Sequence, residues 1–227
     1  MKSKIKTVVF LIKRLLKENY KTIYFNFKYF PFHEAVKFPV IISKNVYFRQ
    51  LKGSVTIDSP LKYGMVKIGF GRVGIFDDKF SRTILEISGK MIFKGSADIG
   101  HGSKISIAES GTIVFGTNFK ITAESALVSF KKIEFGNNCL LSWDILVMDT
   151  DHHRIRNDKG EIINEPEEII IGDKVWIGCR ALILKGTVIP SNAVIGANSV
   201  VSKELDQEKA LYAGIPAKLI KQNVTWE

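Results

Sequence analysis

Cysteine and histidine are scarce in this sequence, and long apolar runs are missing from it. The 227 residues include four histidines and two cysteines, Cys139 and Cys179. Two isolated cysteines form neither a disulfide framework nor a CxxC metal motif, which favours a reducing compartment. No run of about 18 uninterrupted apolar residues occurs, so the sequence predicts no membrane-spanning helix. The N-terminus also lacks the apolar core and small-residue cleavage site of a signal peptide, and we therefore expect a cytoplasmic protein.

Acidic residues are scarce in the first part of the chain. Residues 1–63 contain thirteen lysines and arginines but only three acids, so this segment accounts for the whole formal charge of +10. A basic end on a neutral body favours an anionic partner on one side of the molecule. The alternative is a solvated basic surface. We expect no nucleic-acid partner.

The strongest pattern is a six-residue repeat near the C-terminus. Aliphatic residues recur at every sixth position, at Ile171, Ile177, Ile183, Ile189, Ile195 and Val201. This period fits neither one long helix nor one long strand. It fits short strands joined by tight corners, with each aliphatic side chain pointing into a narrow core. The repeat therefore predicts an all-β solenoid, a parallel β-helix of hexapeptide repeats.

Looser copies of the repeat extend the predicted solenoid upstream to residues 40–204. They share the six-residue spacing, with small insertions at corners: Phe93, Ile99 and Ile105; Ile107 and Ile113; Phe135, Leu141 and Val147. One insertion is much longer, a polar loop over residues 148–168 that contains His152 and His153. A long loop on a rigid scaffold commonly carries function.

The two ends of the chain lack the repeat. Residues 1–39 form a predicted basic extension, in which apolar residues at helical spacing between residues 5 and 16 indicate an amphipathic helix. Residues 205–227 form a predicted C-terminal tail. The helix is expected either to lie on an anionic membrane surface through residues 1–30, on its inner face, or to cap the open core of the solenoid.

The C-terminal motifs resemble those of a known enzyme family. The run IGDKVWIGCRALILKGTVIPSNAVIGANSVVSK, followed by YAGIPAKLIK, is similar to the hexapeptide-repeat O- and N-acetyltransferases. These include the galactoside and maltose acetyltransferases and enzymes of capsule and lipopolysaccharide synthesis. The resemblance implies a left-handed parallel β-helix, acetyl-CoA as co-substrate with no metal, and a homotrimer whose active sites lie between subunits.

The resemblance also implies a histidine general base in the projecting loop. A neutral imidazole removes the proton of a sugar hydroxyl as its oxygen attacks the thioester. His153 is the predicted base and His152 is the alternative. Arg154 stands where relatives often carry proline, which leaves both histidines open.

Further residues are implied as binding residues. The expected acetyl-CoA contacts lie at late corners and in the tail, namely Gly178, Cys179, Ala197, Ser202, Lys203, Lys218 and Lys221. The last two lysines match basic positions that meet nucleotide phosphates, although a solvated basic tail is the alternative. Trp143, Asp149 and Asp151 are expected at the acceptor site, where a carboxylate could also orient the imidazole.

Several other functions share this fold. Transfer to an amine of a nucleotide sugar, transfer of a different acyl group, and a non-catalytic scaffold remain alternatives. A zinc-dependent hydratase would need three histidines that converge on one metal, and adjacent His152 and His153 suit a tetrahedral site poorly.

Overall fold

The structure, a computed structural model, describes residues 18–227, and its strands form three sheets around one narrow core. Sheet A contains β1 (Val40–Ile42), β4 (Val66–Phe70), β7 (Ala97–Gly100), β10 (Phe119–Ala123), β13 (Leu140–Trp143), β16 (Trp176–Ile177), β19 (Val194–Ile195), β21 (Ala210–Gly214) and β22 (Ala217–Gln222). Sheet B contains β2 (Val46–Leu51), β5 (Thr83–Ile87), β8 (Lys104–Ile107), β11 (Ala126–Ser129), β14 (Leu146–Met148), β17 (Leu182–Leu184) and β20 (Val200–Val201). Sheet C contains β3 (Ser54–Ile57), β6 (Lys90–Phe93), β9 (Thr112–Phe115), β12 (Ile133–Phe135), β15 (Ile169–Ile171) and β18 (Val188–Ile189).

Strands of successive coils pair in parallel, one strand per sheet in each coil. In the last coils the partners are eighteen residues apart, as in Trp176 with Val194 on sheet A and Leu182 with Val200 on sheet B. Eighteen residues are three hexapeptides, so each hexapeptide supplies one strand and one corner. Upstream, Leu141 pairs with Ile121, twenty residues earlier, because the corners there hold extra residues. This architecture confirms the predicted solenoid of hexapeptide coils.

The repeat residues build the core. All six aliphatic residues between Ile171 and Val201 are buried, with at most 1% of their surface exposed. In the upstream coils, phenylalanines form a stack along the axis: Phe93, Phe115 and Phe135 have ring centroids 5.0 and 5.9 Å apart. Burial of each such side chain contributes about 1.5–3 kcal/mol.

The corners require residues that tolerate close backbone packing. A Cβ added to Gly178 would lie 2.7 Å from the backbone nitrogen of Ala197 in the next coil, so only glycine fits there. Arg180 and Asn198 occupy the left-handed region, with φ of 60° and 57°. These two equivalent positions are one coil apart, which shows that the same corner repeats.

Helix α1 (Tyr20–Tyr29) caps the N-terminal end of the solenoid, and a short helix α2 (Phe32–Ala35) follows it. Phe25 is fully buried, and Asn26 exchanges hydrogen bonds with the backbone of Val40. Thr22 Oγ1 accepts a hydrogen bond from the backbone N–H of Ile42 at 2.9 Å. The side chains of α1 thus provide hydrogen-bond partners for the backbone groups at the exposed edge of β1. Without them, this edge could pair with a strand of another chain.

The predicted amphipathic stripe between residues 5 and 16 lies outside the described residues. Within residues 18–227, no helix is long and apolar enough to cross a membrane.

The C-terminal tail closes the opposite end of sheet A. Strand β21 pairs in parallel with β19, and β22 returns antiparallel to β21. The turn between them contains a cis peptide bond at Ile215–Pro216. The predicted tail therefore forms a hairpin that continues the sheet.

Two insertions interrupt the coils. Residues 71–82 leave the edge between β4 and β5, and residues 149–168 leave the edge between β14 and β15. We call the edge where the chain passes from sheet A to sheet B the A/B edge, and the edge where it passes from sheet B to sheet C the B/C edge. The first insertion lies on the A/B edge and the second on the B/C edge.

Candidate active site

The loop that carries both histidines has an internal framework. Arg156 and Ile162 form an antiparallel bridge, which makes the tip of the loop a small hairpin. The amide of Asn164 fastens this hairpin to the histidine segment. Its Nδ2 donates to the carbonyl oxygen of His153 at 2.8 Å, and its Oδ1 accepts from the backbone N–H of Ile155 at 2.6 Å.

An ion pair connects the loop to the next coil. The Nζ of Lys185, in the corner after β17, lies 2.6 Å from Oδ2 of Asp151. Asn164 Nδ2 donates to the same carboxylate at 2.9 Å. The hydrogen bonds from Lys185 and Asn164 lower the pKa of Asp151 below its usual value. The residue before the two histidines is thereby held against the solenoid body.

The two imidazoles differ in their packing. His152 has a left-handed backbone, with φ of 58°, and its ring contacts Phe130 edge-on at a centroid distance of 4.9 Å. His153 is exposed. In the described part of the chain neither imidazole forms a hydrogen bond, so the ring nitrogens of both face solvent or a ligand. Hydrogen bonds of catalytic groups commonly form only in the substrate complex.

Asp149 is fixed by hydrogen bonds of its own. Its carboxylate is fully buried and accepts hydrogen bonds from Ser129 Oγ, Phe130 N and Lys131 N at 2.9, 2.7 and 2.9 Å. These donors hold the carboxylate against the corner of the preceding coil, and its contact with a sugar or an imidazole stays a prediction. A buried carboxylate needs such donors. The backbone N–H groups of Phe130 and Lys131 in turn need an acceptor, because the inserted loop leaves this corner without a regular corner stacked on it.

Several predicted site residues line a cleft on the B/C edge. It has a volume of about 400 Å³, and Asp151, Lys185, Ser202 and Lys203 line it. A second cleft, of about 330 Å³, adjoins it and is lined by Lys203 and Lys218. The acceptor-side residue Asp151 and two predicted acetyl-CoA contacts, Ser202 and Lys203, therefore follow one edge, and Lys218 on β22 lies next to it at the C-terminal end of the solenoid. Lys221 is exposed on β22 and lines neither cleft.

The remaining predicted residues stack on the A/B edge instead. The backbone N–H of Arg180 donates to the carbonyl of Trp143, and the N–H of Asn198 donates to the carbonyl of Cys179, each at 3.0 Å. Gly178 and Ala197 belong to the same stacked corners. The width of sheet B separates this edge from the histidine loop, so a single chain does not bring the two groups together.

Two residues of the site were not predicted from the sequence. Lys185 and Asn164 fix the histidine loop, yet neither stands at a position that the six-residue repeat marks. A lysine in a corner and an asparagine in a polar loop are ordinary solvated residues by pattern. Only the stacking of coils places them beside Asp151 and His153.

Comparison with known proteins supports the assignment of the repeat. The family described as bacterial transferase hexapeptide (six repeats) matches residues 168–203. This match covers the strict hexapeptides and confirms the predicted resemblance to hexapeptide-repeat transferases. No motif upstream of residue 168 contributes to it.

The chain is also similar to several named acetyltransferases. It is 28% identical over 143 residues to an Escherichia coli (strain K12) protein named as a lipopolysaccharide biosynthesis O-acetyl transferase, WbbJ, with 59% of this chain and 72% of that protein covered. It is 33% identical to the galactoside O-acetyltransferase of Escherichia coli (strain K12), with 54% and 56% covered. It is 34% identical to the polysialic acid O-acetyltransferase of Escherichia coli O1:K1 / APEC, with 59% and 41% covered.

These relatives agree in the transfer that they are named for. All three are named for O-acetyl transfer, which is the class predicted from the sequence. The chain spans about half the length of the galactoside relative and less than half of the polysialic acid relative. For this chain, an acceptor of the kind that these relatives are named for is therefore only proposed.

Proposed function

We propose that this protein transfers an acetyl group from acetyl-CoA to a hydroxyl of a sugar, within a polysaccharide or lipopolysaccharide precursor. The observation that carries the proposal is the arrangement of side chains on the B/C edge. There a histidine loop is fastened by Asp151, Lys185 and Asn164 over a cleft lined by Ser202 and Lys203. Lys185, Ser202 and Lys203 lie within the hexapeptide segment through which the chain resembles the transferase family, residues 168–203, and the histidine loop directly precedes it.

His153 acts as the general base in this proposal. Its ring nitrogen accepts the proton of the acceptor hydroxyl while the hydroxyl oxygen attacks the thioester carbonyl. The tetrahedral oxyanion then collapses, the carbon–sulfur bond breaks, and the imidazolium returns its proton to the departing thiolate of CoA. No covalent enzyme intermediate forms. Both histidines are exposed, and the packing of the His152 ring against Phe130 favours His153 as the base.

A homotrimer completes the proposed site. The predicted acetyl-CoA corners at Cys179 and Ala197 lie on the A/B edge, and the histidine loop lies on the B/C edge of the same chain. A neighbouring subunit can place its A/B edge against this B/C edge, which a monomer cannot do. The outward face of late sheet B is apolar and suits such a contact; it carries Leu146, Met148, Leu182, Leu184 and Val200. Contiguous apolar patches of this kind commonly mark interfaces.

An acyl-transfer assay tests the proposal directly. Purified full-length protein is incubated with acetyl-CoA and a panel of monosaccharides, nucleotide sugars and glycan fragments, and the release of the CoA thiol is measured. We expect release that depends on a hydroxyl acceptor and an acetyl ester in the product. An amide product would instead establish amine transfer, and preference for a longer acyl-CoA would identify another acyl group. No acceptor-dependent release with any member would support a non-catalytic scaffold.

The role of the N-terminal segment separates into two parts. In the structure residues 20–30 cap the solenoid, because Phe25 is buried and Asn26 bonds to β1. Contact of the preceding basic residues with an anionic membrane surface stays a prediction. It requires binding to anionic vesicles that weakens at high salt and is lost when residues 1–17 are deleted.

A further inference from the structure

A cleft rich in cations lies at the N-terminal end of the A/B edge, away from the histidine loop. It has a volume of about 520 Å³, and its lining residues are Lys21, Lys44, Asn45, Val46, Tyr47, Lys79, Phe80 and Arg82. Four of these eight residues are basic and none is acidic. Such a concentration of one charge attracts an anion and needs one to balance it.

The positions of these cations are built into the fold. Asn45 Nδ2 donates to the backbone carbonyls of Asp78 and Lys79 at 3.1 and 2.9 Å, which fixes the 71–82 insertion against the first coil. The Nζ of Lys21 donates to the carbonyl oxygens of Lys44 and Val46. Helix α1, the first coil and the insertion therefore meet at this cleft.

None of the four cations forms a salt bridge with any residue between 18 and 227. Asp78 faces Arg72 and Glu86 faces Arg49, while the Asp77 carboxylate accepts the backbone N–H of Lys79 at 3.0 Å. Residues 1–17 contain no aspartate or glutamate. No carboxylate of that segment can pair with the cleft cations, which leaves them available to an anionic ligand.

Aromatic rings accompany the cations. The guanidinium carbon of Arg82 lies 5.1 Å from the ring centre of Tyr47, and the Nζ of Lys79 lies 5.3 Å from that of Phe80. Both rings keep much of their surface exposed, 48% for Tyr47 and 75% for Phe80. Cations next to open aromatic faces suit a ligand with an anionic group and a flat apolar face, which is the chemistry of a charged sugar.

The cleft lies on the same edge as Trp143, the predicted acceptor residue. The coils of β2 and β5 hold the cleft, and the coil of β13 holds Trp143, so three to four coils separate them. At about 4.8 Å per strand spacing, the separation along the axis is about 14 to 19 Å. A single sugar cannot reach both positions, whereas an extended glycan lying along the edge can.

We infer that this cleft binds an anionic sugar unit of an extended acceptor glycan, whose acetylated unit lies near Trp143 and the histidine loop of a neighbouring subunit in the proposed trimer. The inference rests on the proposed function for the reaction, but binding to the cleft can be measured without it. Carboxylate or phosphate oxygens of the glycan would pair with Lys44, Lys79 and Arg82, and a sugar ring would lie against Tyr47 or Phe80.

The test compares two variants with the same loss of charge. The cleft variant carries Lys44→Gln, Lys79→Gln and Arg82→Gln, and leaves Lys21 in place because its ammonium bonds to backbone carbonyls. The control variant carries Lys37→Gln, Lys62→Gln and Lys67→Gln, which are exposed cations outside the cleft and on neither the A/B nor the B/C edge. Binding is measured calorimetrically on full-length protein with a sialic acid oligomer and with a neutral malto-oligosaccharide of equal length.

We expect the cleft variant to bind the sialic acid oligomer at least about tenfold more weakly than the unmodified protein, and the control variant to differ by less than about threefold. The neutral oligosaccharide should bind weakly to all three proteins. In the transfer assay, the cleft variant should raise KM for the anionic oligomer and leave kcat for a neutral monosaccharide unchanged.

Two results would overturn the inference. Equal loss of binding in both variants would mean that net charge alone attracts the oligomer. A cleft variant that binds the oligomer normally but loses binding to anionic phospholipid vesicles would assign the cleft to a membrane surface. Failure of the proposed function would appear separately, as absent transfer to every acceptor in the unmodified protein while the binding comparison stays measurable.

Discussion

The ammonium of Lys185 lies 2.6 Å from the carboxylate of Asp151, although the two residues are separated by an entire inserted loop. One stands two residues before His153, and the other stands in the corner of the following coil. The pair therefore sets where the histidine segment leaves the solenoid. Asn164 reinforces it by donating to both Asp151 and the carbonyl of His153.

The Asp151 contact predicts how the loop responds to pH. The folded-state pKa of this carboxyl is lowered, so its contribution to holding the loop is present above the unfolded-state pKa and disappears as the pH falls through the folded value. Limited proteolysis of the 149–168 loop should stay slow at neutral pH and accelerate only below the usual carboxyl pKa of about 4. Asp151→Asn should show the fast cleavage at neutral pH already. An identical cleavage profile for both proteins would show that the Asp151–Lys185 ion pair does not hold the loop.

His153 should be the residue on which transfer depends. His153→Asn should reduce kcat by about 10²–10⁴-fold, because the general base is lost while the loop contacts of the backbone remain. Binding of CoA, followed by calorimetry, should be unchanged. The control is His33→Asn, at a side chain that is 77% exposed and far along the chain. If His152→Asn abolishes transfer and His153→Asn does not, the base is His152.

Asp149 should contribute to stability and not to substrate affinity. Asp149→Asn replaces one acceptor oxygen by a donor; because Oδ1 accepts from Phe130 N and Oδ2 from Ser129 Oγ and Lys131 N, at least one buried backbone N–H then loses its acceptor. We expect the free energy of unfolding to fall by about 2–3 kcal/mol in chemical denaturation, because buried donors lose their partner. Asp158→Asn, in the exposed turn of the loop, provides the matched control. A stability equal to that of the control, together with a raised KM for the acceptor, would return Asp149 to the substrate site.

The apolar face of sheet B should hold the proposed trimer together. Leu182 is 36% exposed on this face, and Leu182→Asp would bury a charge in a subunit contact. Light scattering after size exclusion should give a trimer for the unmodified protein and a smaller species for the variant, with loss of transfer. Phe32→Asp, at a residue of α2 that is 70% exposed and lies on neither edge, should change neither. A variant that remains trimeric, or an unmodified protein that is an active monomer, would contradict the subunit arrangement.

The predictability of this fold follows from the repeat. Ile171, Ile177 and Ile183 are equivalent by spacing alone, and all three are buried in equivalent positions of successive strands. The inward direction of such a side chain depends on its place in one hexapeptide, which is local information. The upstream positions Phe93 and Phe135 followed the same rule despite their looser spacing.

The site was only partly predictable for the opposite reason. The sequence by itself determined that a coil structure would form, that its narrow core would be apolar, and that a polar loop with two histidines would project from it. The tertiary structure alone decided that Lys185 reaches Asp151, that Asp149 turns inward to a corner, and that Lys44, Lys79 and Arg82 share one cleft. These contacts join residues from different coils, whose alignment depends on the length of each corner insertion. The six-residue period carries no information about that length, so only the stacked coils fix which side chains meet.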